Sequence, residues 1–162
     1  MKVFTLCFIA VFCSGYSYAQ QLCHSQLTKN TPDSRYQVNG SEIKDKQTNL
    51  IWQRCALGQT WNGSSCIGLE KHDTWENALQ AAKNQTGWRL PNIKELKSLV
   101  ETACYDPAIN SNIFKEVSNT SYWSSSTLAE DARNVWTVTF DDGIAHQMRK
   151  LDSAAMRLVR NP

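Results

Sequence analysis

Trp123 stands directly before Ser124-Ser125-Ser126, and Arg133, His146, Arg149 and Lys150 follow downstream. A flat ring edged by hydroxyls suits stacking on a sugar, with hydrogen bonds at the rim. Neighbouring cations suit a sulfated polymer, through attraction that salt screens. Trp123, Ser124, Arg133, His146, Arg149 and Lys150 are therefore the candidate ligand-binding residues, with residues 127–134 as an adjustable rim. A solvated strand face would carry similar serines and cations. Catalytic patterns are missing: there is no GxSxG, P-loop or HExxH, and no nucleophile–base pair at meaningful spacing. His72-Asp73 reads as a surface residue beside a helix cap. Asp141-Asp142-Gly143 offers two adjacent acids, far short of the six to eight oxygens Ca²⁺ takes. The expectation is a binding protein rather than an enzyme, with no metal and no cofactor.

What must position these residues is a globular chain of 162 residues, 41% apolar and 20% charged, the length of one domain. A net charge of +2 cannot neutralise a run of phosphates, so no nucleic-acid partner is expected. Six tryptophans point to a core or a binding face built from large rings. Core packing is the ordinary fate of Trp88, Trp123 and Trp136. Trp123 is the one its hydroxyl neighbours mark for exposure, whereas Trp88 is expected in the core. Arg89, between Trp88 and Leu90-Pro91, is expected in an ion pair with Glu95 or Glu101.

Lys2, an apolar run through Phe12 and Ser17-Tyr18-Ala19 read as a secretory signal peptide over residues 1–19, cleaved after Ala19. No later segment is apolar enough to span a membrane. The product is expected to be exported, to the periplasm, the medium or the cell surface. Export leaves Cys23, Cys55, Cys66 and Cys104, and an oxidising compartment favours two disulfides over thiols. Four cysteines allow three pairings. Cys55 and Cys66 flank the turn-rich stretch ALGQTWNGSS, which favours a local bridge and leaves Cys23 for Cys104. A zinc site lacks both CxxC and a spaced histidine pair.

Residues 20–44 read as a lead-in with little regular structure, and residues 45–162 as the domain. Leu50-Ile51-Trp52 reads as a short strand. A first helix is expected with Asp73 as cap, Glu76 three residues on, and Trp75, Ala78, Leu79 and Ala82 along one face. It should end near Gln85, ahead of Gly87. A second begins after Pro91, with Asn92 as cap, Glu95 at its third position and Ile93, Leu96, Leu99 and Val100 inward. From Tyr122 the period becomes two. Val135 to Phe140 and Ile144 to Lys150 form a hairpin about Asp141-Asp142-Gly143. A closing strand, Met156 to Arg160, sets its arginines outside. A strand, two helices and a run of antiparallel strands make an α+β layout.

In that order the chain carries NLIWQRCALGQTWNGSSC, TWENALQAA, GWRLPNIKELKSLVE, CYDPAIN, YWSSS and a closing Val-Arg pair. Together these motifs resemble the Lcl C-terminal domain family, named for the end of a collagen-like adhesin, over roughly residues 45–160. The resemblance implies a C-type-lectin-like fold, two helices on small antiparallel sheets with long loops forming the binding face. It also implies recognition of a glycan or sulfated polysaccharide, with a structural or protein-interaction role at the cell surface as the alternative. No collagen-like repeat is present, so trimerisation through a stalk does not carry over and the oligomeric state is left open. The RLP-then-helix segment is similar to one in the formylglycine-generating families. Their chemistry uses late cysteines, and none follows Cys104.

Overall fold

The computed structural model describes residues 21–162, and the signal-peptide reading lies outside those residues. In chain order come β1 (Leu22–Cys23), a 3-10 turn (Asp33–Arg35), β2 (Tyr36–Asn39), β3 (Glu42–Asp45) and β4 (Ile51–Gln53). Next are β5 (Thr60–Trp61), β6 (Cys66–Ile67), β7 (His72–Asp73), α1 (Trp75–Lys83) and α2 (Ile93–Lys97). The chain closes with β8 (Cys104–Tyr105), β9 (Ser121–Thr127), β10 (Asn134–Thr139), β11 (Ala145–Arg149), β12 (Ala154–Ala155) and β13 (Val159–Arg160). This is a mixed α+β architecture. No helix among the described residues is long and apolar enough to cross a membrane.

The larger sheet runs β11-β10-β9-β12-β7, and the second runs β13-β4-β3-β2. β2 and β3 turn tightly at Gly40, whose positive φ of 59° a side chain would strain. The sheet therefore begins at Tyr36, inside the stretch expected to be an irregular lead-in. The hairpin about Asp141-Asp142-Gly143 forms in register, Val138 facing Ala145 and Asn134 facing Arg149. Strand β9 lies at the centre of its sheet, and its alternating residues enter different cores. Tyr122 joins Trp52, Leu96, Leu99, Phe114 and Phe140. Trp123 joins Ala78, Ala82, Leu90, Val135, Met156 and Leu158 on the other side.

Local signals fix both helices. Asn92 and Glu95 form a reciprocal capping box, Asn92 Oδ1 accepting from Glu95 N at 2.9 Å and Glu95 Oε2 from Asn92 N at 2.8 Å. Leu96, Leu99 and Val100 are buried as expected, although the helix proper stops at Lys97. The cap of α1 is Thr74 rather than Asp73. His72-Asp73 is drawn into pairing with Ala154-Ala155, which moves the helix start one residue on. The Asp73 carboxylate still serves that end, accepting from Thr74 N at 2.9 Å and from Asn77 Nδ2 at 2.6 Å.

The closing strand departs from expectation. Arg157 is fully buried, not set outside. Its Nη1 donates to the carbonyls of Gln53, at 3.0 Å, and Arg54. Its carbon head lies 5.1 Å from the Phe114 ring centroid and 5.9 Å from that of Tyr122. Burial pushes the guanidinium below its ordinary pKa, opposed by the neighbouring Tyr122 and Glu70.

Both expected disulfides form, Cys23–Cys104 and Cys55–Cys66. The first ties β1 to β8, which pair directly. Beside it, buried Glu101 accepts from Thr31 N and Thr31 Oγ1, both at 2.8 Å, from Ala103 N at 3.0 Å and from Asn30 N at 3.2 Å. Buried Asp45 accepts from Arg35 Nε at 2.8 Å, Thr48 Oγ1 at 2.8 Å and Gln47 N at 2.9 Å. Burial alone would raise both carboxyl pKa values. The hydrogen bonds outweigh it, so each lies below its ordinary value of 4.5 or 3.8. A depressed carboxyl contributes stability above its unfolded pKa and loses it as pH falls through the folded one. Acid should therefore weaken the fold below about pH 4. Glu101→Gln should cost about 3 kcal/mol at pH 7, because buried donors lose their charged acceptor, and should flatten that acid decline. Urea unfolding across a pH series checks both.

Candidate functional site

The residues expected to form a ligand face do not assemble into one. Trp123 is fully buried, and its Nε1 donates to the Asp73 carbonyl at 2.7 Å. Ser124 is buried too, its hydroxyl donating to the Trp136 carbonyl at 2.6 Å. The reason is that this part of β9 is packed on both faces, Tyr122 into one core cluster and Trp123 into the other, which leaves the Trp123 ring unavailable to a sugar. The cations are committed or dispersed. Arg133 Nε lies 3.0 Å from Asp131 Oδ1, and Arg149 Nη2 lies 2.6 Å from Asp152 Oδ1. These bonds raise both guanidinium pKa values and lower those of the two aspartates. Lys150 Nζ sits 4.7 Å from the Trp75 ring centroid. His146 is exposed, but strand alternation puts it on the face opposite Arg149.

A groove elsewhere brings rings and polar groups together. It holds about 470 Å³ and is lined by Trp61, Trp88, Gln53, Gln59, Gln85 and Glu42, among others. Trp61 is delivered by β5, which pairs with β6 in a small hairpin closed by the Cys55–Cys66 bridge. Trp88 comes from the link between the helices, where Arg89 N and O both pair with Val159. Gln53 ends β4, and Gln85 follows α1. Three stretches of the chain, residues 41–42, 53–61 and 85–88, thus meet at one surface.

Both rings are held by guanidinium groups. Arg54 lies 3.7 Å from the Trp61 centroid, and its Nε donates to the Ile113 carbonyl at 3.0 Å. Arg160 lies 5.3 Å from the Trp88 centroid, and its Nη2 reaches Glu42 Oε2 at 2.8 Å. Beneath Trp88, Arg89 forms a bidentate pair with Glu95 at 2.7 and 2.8 Å, the partner expected; Glu101 is engaged elsewhere. That bond raises the Arg89 pKa, and burial opposes it. Among the amides, Gln53 Nε2 donates to Gln85 Oε1 at 2.6 Å, and Gln59 Oε1 accepts from Ala56 N at 3.2 Å.

Trp88 is half-buried at the groove wall, not in the core where it was expected. Trp61 is not among the residues that the sequence motifs single out, although a tryptophan inside a cysteine-bounded, turn-rich loop is the kind of residue such a loop displays. The local pairing of Arg133 with Asp131 and of Arg149 with Asp152 was also readable from spacing. A second cavity of about 570 Å³ is lined by Glu70, Glu116, Phe114 and Leu69, among others. Its Glu70 is already saturated by Ser118, Tyr122 and His72. No group of three or more His, Cys, Asp or Glu side chains among the described residues is placed to hold a metal ion.

Fold and groove define a small α+β domain braced by two disulfides, with an aromatic, amide-rich depression on one side. The model of the Lcl C-terminal domain matches residues 41–160, and the chain belongs to that family. The match opens in the turn between β2 and β3. Against curated proteins the chain has no significant match.

The two kinds of tryptophan should separate in stability measurements. Trp123→Ala empties a fully buried site and should cost about 3–5 kcal/mol. Trp88→Ala, at a wet groove wall, should cost about 1–2 kcal/mol, since only part of its area leaves water on folding. Guanidinium-chloride unfolding of the two variants checks the order.

Proposed function

We propose that this chain is an exported, non-enzymatic binding module that recognises a glycan at the Trp61–Trp88 groove, in a C-type-lectin-like arrangement. The observation that carries the reading is the pairing of two held indole rings with three glutamines in one depression. Sugars present apolar C–H faces that stack on rings and hydroxyls that both donate and accept, as carboxamides do. Support for the lectin-like arrangement comes from the closing strand β13, which returns to pair with early strand β4, leaving the helices and loops between them. The two disulfides suit an oxidising compartment, and an adhesin-like domain family suits the cell surface.

A protein-interaction role in a surface assembly is favoured by one feature, the exposed Ile67 and Leu69, at 51% and 89%. The mature protein, screened on a glycan array, should bind at least one saccharide. Trp61→Ala should remove that signal while the circular dichroism spectrum is retained. An array without a bound glycan, or an unaltered signal in Trp61→Ala, removes the groove reading. A partner chain that co-purifies with the protein, and is lost in Leu69→Ser but kept in Trp61→Ala, favours the protein-interaction role.

A further inference from the structure

We propose that the groove takes an uncharged, hydroxyl-rich saccharide rather than a sulfated or carboxylated one. This rests on the groove being the glycan site. The residues lining it include one carboxylate, Glu42, and no lysine or arginine. A sulfate ester placed there would give up hydration and find no cation among the lining residues, whose one carboxylate is already paired with Arg160. The two guanidinium groups nearby do not line the groove and are already engaged. Arg160 is paired with Glu42, and Arg54 donates to the carbonyls of Ile113 and Gly40, at 3.0 and 3.5 Å. Each stacks on an indole of the groove, Arg54 on Trp61 and Arg160 on Trp88.

What the groove does offer is amide chemistry. The Gln53–Gln85 bond uses one donor and one acceptor, so each amide keeps further hydrogen-bonding capacity. Gln59 is held through its oxygen by Ala56 N, which leaves its amino end for a ligand. Hydroxyl groups satisfy such donors and acceptors together, and an anion satisfies only the donors. Discrimination then comes from polar groups that an ill-matched ligand would leave unpaired.

Ligand-observed saturation-transfer NMR and tryptophan fluorescence with the full mature chain test this. The probes are cellobiose, maltose, chitobiose and lactose, with a sulfated heparin disaccharide as the charged counterpart. At least one neutral disaccharide should bind, with affinity unchanged within about twofold between about 50 and 500 mM NaCl. Gln85→Ala should weaken that binding about fivefold and Trp61→Ala about tenfold, as for one hydrogen bond and one stacked ring. Preferred binding of the heparin disaccharide, lost at high salt and still sensitive to Trp61→Ala, overturns the neutral-ligand inference and leaves the groove as the glycan site. Binding of no probe, or binding indifferent to Trp61→Ala, overturns both.

Discussion

A fully buried guanidinium imposes order on this protein. Arg157 cannot leave the interior, because it lies in an unbroken buried run from Ala154 to Val159. An ion taken out of water needs fixed dipoles and polarisable faces in return. It receives the carbonyls of Gln53 and Arg54 and the faces of Phe114 and Tyr122. Tyr122 in turn donates to Glu70, a carboxylate that burial of its neighbours places within reach of the cation's field. The end of β4, the loop carrying Phe114, strand β9 and the entry to β7 are thereby held about one charge. Backbone bonds from Gln53 to Leu158 and from Leu57 to Met156 run alongside, so the closing segment is zipped to the region that leads into the groove.

That zipper explains where the tryptophans go. Trp52 sits one residue before the Gln53 carbonyl that Arg157 uses, and it is fully buried. Trp123 is buried by the cluster of Ala78, Ala82, Leu90, Met156 and Leu158 packed on its face of β9. Trp61, on the two-residue strand β5, and Trp88, in the link between the helices, are each half-buried, so one part of each ring meets protein and another meets water. Scaffold and display are divided in this way between regular strands and the loops they anchor. The Cys55–Cys66 bridge makes the division sharper, because it holds the Trp61 hairpin, which has only two residues in each strand.

Charge follows a similar economy. Arg35, Arg89, Arg133, Arg149 and Arg160 each meet a carboxylate, most of them close in sequence. Local pairing of this kind offsets the charges of Arg133 and Arg149 at the β10–β11 hairpin. The buried carboxylates Glu101 and Asp45 are supplied with hydrogen bonds from their own surroundings, and Glu101 binds the N-terminal segment to the core next to the Cys23–Cys104 bridge. What remains open to a ligand is amide and aromatic surface.

Much of this was legible in the sequence. The capping box at Asn92 and Glu95, the hairpin about Asp141-Asp142-Gly143, the apolar face of α1 and both disulfide pairs depend on residues near one another or on few combinations, and local chemistry decides them. The family followed from motif order for the same reason. Three things were decided by tertiary structure alone. Trp123 looked exposed because its neighbours are serines, yet α1 and the closing segment, remote in sequence, pack over its face of the strand. Arg157 looked like an outward residue in an alternating strand, yet distant carbonyls and rings made an interior site for it. The groove joins Gln53 and Trp61 to Gln85 and Trp88 from two separate stretches, and spacing along a chain says nothing about which stretches fold to a common surface. Sequence determines what neighbours along the chain can do for one another; burial and the meeting of remote segments are properties of the packed whole.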